Sequence, residues 1–158
     1  MTTRLGLTRH IRVATDISVY PFLLLFILMV VWSSCARGET QSVVVANQTV
    51  QTRSLTRSEL RQIFTGHLQY WNDGTKIQVF VLDDDKALHK VFCRENLQMF
   101  PYQLSRLWDQ LTYSGQGITP TRVYSKGALI DAVESTPGAI SYMDIGRITK
   151  AQKLEVVE

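Results

Sequence analysis

The chain has 158 residues, 17 Lys and Arg against 14 Asp and Glu, two cysteines, 45% hydrophobic and 20% charged residues. That length holds one domain, or one domain with an appendage, and that composition belongs to a folding chain rather than a disordered one. Two cysteines exclude a disulfide framework and a cysteine-rich zinc site, and a net charge of +3 is too small to signal a nucleic-acid partner, despite a pI near 9.0.

The first predicted element is an export segment. Arg4, Arg9 and Arg12 precede an uncharged apolar run over residues 22–32, eleven residues long. That is the length of a signal-peptide core and short for a bilayer span of about 20 residues. Ser34 and Ala36 then stand in the small-x-small arrangement read by signal peptidase. Cleavage after Ala36 removes 36 of the 158 residues and leaves 122. Two other readings stay open. Cys35 after two serines resembles a lipoprotein signal with an acylated cysteine, although Trp32 departs from the usual pattern. Residues 17–36 can also remain as an uncleaved anchor with the basic end inside. All three readings place residues 37–158 outside the cytoplasm. They also explain the charge. Three of the 17 basic residues and one of the 14 acidic residues, Asp16, precede Arg37, which leaves 14 basic and 13 acidic. The nearly neutral remainder offers no electrostatic footprint for nucleic acid.

Downstream, strands and helices alternate. Residues 42–46 form a β-branched run and predict a buried strand. Thr56 and Glu59 form a capping box, so a helix starts near Arg57, buries Leu60, Ile63 and Phe64, and ends at Gly66. Trp71-Asn72-Asp73-Gly74 is a turn, and residues 76–82 predict a strand. Asp83, Asp84 and Asp85 then precede a helix carrying Leu88, Val91, Phe92 and Leu97, where carboxylates favour a helix start as caps and against the dipole. Pro101 opens a helix with a stripe of Leu104, Leu107, Trp108 and Leu111. Residues 114–120 form a loop. A short strand at residues 122–124 follows, then a helix capped by Ser125, a break at Pro137-Gly138, a strand at 139–143 and a last one at 154–157. This interleaving predicts α/β architecture with a mixed or mainly parallel sheet.

Residues 55–66, Trp71-Asn72-Asp73-Gly74, Trp108 ahead of residues 113–120, and residues 136–142 occur in one order. Together they resemble the phosphate-binding-protein-like domain of periplasmic solute-binding proteins, in a short single-domain form. The resemblance covers about residues 42–157. It implies a three-layer domain like one lobe of a type II periplasmic binding protein. Taken singly, the motifs read as scaffold: a capped helix, core tryptophans, and a turn feeding a buried strand.

In such relatives the anion sits between two lobes, held by backbone N–H groups and hydroxyls at helix starts with an arginine nearby, a use of helix ends that is physically sound. The strand matching residues 78–82 leads there into an Arg-x-x-Ser-Gly-Thr type of helix start. Here the same place reads Asp83-Asp84-Asp85-Lys86-Ala87. These four charged residues are the candidate ligand contacts, with the sign reversed. A dianion within about 4 Å of a carboxylate is repelled by about 1 kcal/mol per charge pair even at water-like dielectric. The spacing of the aspartates also lacks the alternation of a calcium loop.

No nucleophile-elbow, HExxH or phosphate-loop motif is present, and nothing calls for a cofactor or a metal. His89 and Cys93 share a helix face but lack a third, orienting group, so Cys93 reads as a buried structural thiol. Asn47-Gln48-Thr49 matches a glycosylation sequon by composition alone. The reading is an exported, non-enzymatic binding module in an accessory, protein-interaction role in the bacterial envelope, with an envelope complex or an ABC permease as partner. The alternative is a phosphate- or oxyanion-binding component related to an ABC importer. The protein-interaction reading expects an exposed apolar patch near Tyr113 and Ile118. The membrane is met only through the N-terminal segment.

Overall fold

The computed structural model describes residues 41–115, 119–146 and 150–157. The export segment with Cys35, and Ile118, lie outside the described residues. Strand β1 spans Ser42–Ala46 and β2 spans Ser54–Thr56. Helix α1 spans Arg57–Phe64, and β3 spans Gln78–Leu82. Helices α2, Ala87–Glu95, and α3, Pro101–Ser114, lead to β4, Thr121–Val123. Helix α4, Lys126–Ser135, leads to β5, Ala139–Asp144, followed by β6, Gln152–Lys153, and β7, Glu155–Val157. No helix among the described residues is long and apolar enough to cross a membrane.

The main sheet has the order β4-β3-β5-β1-β6. It is mixed. β3 runs parallel to β4 and β5, whereas β1 runs antiparallel to β5 and β6. A separate parallel pair joins β2 to β7. The three-residue β2 and the two-residue β6 are too short to show any periodicity, which is why sequence reading passes over them.

Period-two alternation builds three layers. Val44 and Ala46 of β1, with Ile140 and Tyr142 of β5, face α1, α2 and α3. Val43, Val45, Ala139 and Met143 face the other way and pack against Ile130 and Val133 of α4. The first face is centred on Phe92, whose ring stacks on Tyr142 at 4.1 Å and lies 4.7 Å from Phe64. Burying each such side chain stabilises the fold by about 1.5–3 kcal/mol. That exceeds what a half-exposed ion pair contributes, so the core positions the charged groups and not the reverse.

Local signals behave as their chemistry predicts at several places. The Thr56 hydroxyl accepts from Glu59 N–H at 3.2 Å while the Glu59 carboxylate accepts from Thr56 N–H at 2.8 Å. Ser125 caps α4 through the Ala128 N–H at 3.1 Å. Trp71 and Trp108 are both buried, donating to the carbonyls of Gly138 at 2.9 Å and Phe64 at 2.7 Å. Gly138 has φ +74°, and a Cβ there would meet the Lys76 carbonyl at 2.4 Å, so only glycine lets β5 start against β3. Asn47 is buried and its amide donates to the carbonyls of Val133 and Glu134, closing the end of α4. The sequon is therefore a structural capping device.

One local expectation fails. The three aspartates do not cap α2. Its N-cap is Lys86, with no side-chain cap bond, and its first turn holds no acidic residue. Asp83, Asp84 and Asp85 form a turn before it, closed by the Lys86 N–H donating to the Asp83 carbonyl at 3.1 Å. The reason is tertiary: Asp84 finds better partners on α3 than the helix end offers.

Candidate functional site

β3 and β4 are parallel neighbours, and the helices that follow them lie on opposite faces of the sheet. In open α/β sheets the usual ligand crevice lies at such a divergence, beyond the carboxyl ends of the two strands. Residues 83–86 leave β3 at this place, and Tyr124 and Ser125 leave β4. Asp83 and Asp84 are half-buried and Asp85 is exposed. Asp85 pairs with its neighbour Lys86 at 3.4 Å in open solvent, a contact of little energetic weight. The four candidate residues thus share a turn, but only Asp84 turns inward to a set of partners.

The Asp84 carboxylate is ringed by donors from three other elements. Its Oδ2 accepts from the Ser105 hydroxyl of α3 at 2.5 Å. Its Oδ1 lies 3.5 Å from Arg122 Nη2 of β4 and 3.7 Å from His89 Nε2 of α2. Both separations exceed a good hydrogen bond, and Oδ1 is buried without a hydrogen-bond partner. Arg122 Nη2 donates to Ser105 Oγ at 3.1 Å, and its guanidinium stands 5.5 Å from the centre of the Trp108 ring. Ser105 therefore accepts from the arginine and donates to the carboxylate. A hydroxyl, a guanidinium and an imidazole thus face the two oxygens of one carboxylate.

Beneath this cluster runs a buried relay. Leu82 N–H donates to the Tyr142 hydroxyl at 2.9 Å. The Tyr142 hydroxyl lies 2.5 Å from His89 Nδ1 and has one proton to give, so Nδ1 accepts and the proton of the imidazole sits on Nε2. That Nε2–H faces Cys93 Sγ at 3.4 Å and Asp84 beyond it. Burial lowers the His89 pKa, against a smaller upward pull from Asp84, so the ring is held neutral. Burial, with Asp84 adding to it, pushes the Cys93 thiol up to about 12. Burial also raises the Tyr142 hydroxyl well above the usual phenol range. Cys93 and His89 are both fully buried, and burial favours the thiol over the thiolate that a nucleophile needs.

Ser105 and Arg122 escape sequence reading. Ser105 lies 21 positions from Asp84 on an otherwise amphipathic helix. Arg122 stands in a three-residue strand, in register with Val81. The only signal was an expected arginine near the anion position. Tyr113 is 90% exposed at the end of α3, but its companion Ile118 lies outside the described residues. Among the described residues, no group of three or more His, Cys, Asp or Glu side chains could hold a metal ion.

Known proteins give an independent measure of this geometry. A model of the PBP superfamily domain matches residues 40–158. No curated protein matches the chain. Among solved structures, an ABC-type phosphate transport receptor from Vibrio cholerae superposes with a TM-score of 0.55 at 18% identity, over 73% of this chain and 45% of that one. A protein from Clostridium perfringens solved with bound phosphate gives 0.60 at 15% identity, over 73% and 44%. PstS from Borrelia burgdorferi gives 0.51 at 20% identity, over 73% and 46%. The chain thus spans less than half the length of each of these structures. Identities at this level speak for the fold alone, and the family match supplies the rest. A match across residues 40–158, on a chain that folds in three layers around a mixed sheet, makes this chain a member of the PBP superfamily.

Proposed function

We propose that this chain is an exported, non-enzymatic binding module of the phosphate-binding-protein-like type, acting in the bacterial envelope through protein contacts rather than as a phosphate carrier. The observation that carries the reading is Asp84. Its carboxylate sits among Ser105, Arg122 and His89, where an external oxyanion would need to sit. A phosphate dianion entering the same space meets like charge at contact distance, and the arginine that would attract it is already shared. The firmly protonated Cys93 thiol supports the non-enzymatic part. The partner class is an envelope complex or an ABC permease, the latter supported by similar solved structures that are named as parts of phosphate ABC transport.

Calorimetry with phosphate and sulfate tests this directly. The wild-type chain is expected to give no saturable heat up to millimolar anion, and Asp84→Ser to gain a site. Saturable phosphate binding by the wild type below about 1 mM (about −4 kcal/mol) overturns the proposal. It would establish the second reading, an oxyanion-binding importer component, which the convergence of Arg122 and Ser105 on one crevice favours.

A further inference from the structure

A concave surface lies between α2 and the start of α3. It encloses about 430 Å³ and is lined by Asp84, Lys90, Arg94, Phe100, Pro101 and Tyr102. Phe100 and Tyr102 stack on each other with centroids 5.8 Å apart and ring planes 16° apart, yet they are 57% and 59% exposed. The backbone beneath them is ordered: Phe100 is the N-cap of α3, its N–H donates to the Gln103 side chain at 2.8 Å, and Pro101 has its own φ fixed by its ring. The two rings thus stack on each other while facing solvent.

The opposite wall carries charge. Lys90 and Arg94 lie four positions apart on α2, both exposed, and their side chains make no hydrogen bond or ion pair among the described residues. Like charges at this spacing destabilise an isolated helix. Asp84, at the inner end of the groove, is turned toward Ser105 and does not neutralise them.

We infer that this groove docks an acidic peptide segment of a partner protein that carries an aromatic or large aliphatic side chain. The apolar side chain seats against the Phe100–Tyr102 stack, and flanking carboxylates meet Lys90 and Arg94. Preordered aromatics lose little freedom on binding, and two unpaired cations give the charge complementarity. The concavity favours an inserted segment over a membrane surface, which would leave it empty. The inference rests on the protein-interaction reading above and names its surface.

Selection of displayed random peptides against the full chain tests it. Enriched sequences are expected to place Asp or Glu around an aromatic or aliphatic residue. A synthetic peptide of that sequence should bind at least tenfold more weakly to Lys90→Glu/Arg94→Glu and about fivefold more weakly to Tyr102→Ser. Affinity should fall with salt and be restored in Lys90→Arg/Arg94→Lys. These side chains are exposed, so circular dichroism should be unchanged. Absence of enrichment, enrichment without acidic residues, or equal binding by the variants overturns the inference. So does sedimentation with phosphatidylglycerol vesicles that depends on the same residues while the peptide does not bind. Phosphate calorimetry on the same wild-type sample separates the two failures: a silent titration with no peptide binding removes only this surface, whereas saturable phosphate binding removes the functional reading itself.

Discussion

At the amino ends of β3 and β5, Trp71 Nε1 donates to the Gly138 carbonyl at 2.9 Å, and Gly138 N–H donates to Thr49 Oγ1 at 3.1 Å. At the carboxyl ends of the same strands, Asp84 Oδ1 and Asp144 Oδ1 are buried without hydrogen-bond partners. The first end satisfies its polar groups and packs its backbone to the limit of contact. The second gathers charge and leaves part of it unsatisfied. Buried unsatisfied oxygens cost stability, so their presence at one end marks where the fold gives up stability for something else. The strand register explains the division. Parallel strands share one amino end, where backbone can close tightly, and one carboxyl end, where diverging helices hold an opening.

The largest effect that breaks this comparison falls at the tight end. Gly138→Ala forces a Cβ to 2.4 Å from the Lys76 carbonyl at a positive φ. Strain of this kind costs at least about 2–3 kcal/mol, and denaturant unfolding should show it with no change at the crevice. Next, Trp71→Phe removes the only side-chain donor to the Gly138 carbonyl among the described residues and should destabilise by about 1–3 kcal/mol, seen as a lower thermal midpoint.

A pH experiment sharpens the contrast from beneath the crevice. His89 is neutral in the folded chain because burial lowers its pKa, but it takes a proton near the ordinary histidine value of 6.5 once unfolded. The unfolded state then binds more protons, so stability is fully present above pH 6.5 and falls as pH drops below it. His89→Gln should flatten that part of the stability–pH curve; an unchanged slope would assign it to other groups. Asp84→Ser removes both the half-exposed pairing with Arg122 and the charged hydrogen bond from Ser105, and with solvent screening should destabilise by about 1–2 kcal/mol. If this variant instead unfolds at room temperature, the carboxylate is structural.

The legible parts of the sequence were those written in nearest neighbours. The Thr56–Glu59 box, the Ser125 cap, the apolar faces of α1 and α3 and the turn at Gly138 all follow from residues within one helical turn or one tight bend. Of the candidate site, the acidic turn after β3 was legible, and with it three carboxylates where the resemblance expects hydroxyls. The misreading of those aspartates as helix caps had a plain cause. A carboxylate beside a helix start gains at most about 1 kcal/mol at an exposed end, and the charged hydrogen bond to Ser105 with Arg122 nearby outcompetes it. Nothing local to residues 83–86 announces a serine on α3 or an arginine on β4.

By itself, then, the sequence determined the α/β alternation, the near-neutral charge of residues 37–158 and the resemblance to phosphate-binding-protein-like domains. Those properties sit in composition, periodicity and short motifs, which are local. Tertiary structure decided that β1 runs against β5, that Cys93 is sealed beside a neutral His89, and that Asp84 meets Ser105 and Arg122. Each of these depends on which distant residues the core brings within about 4 Å, and burial of Phe64, Phe92 and Tyr142 sets those distances.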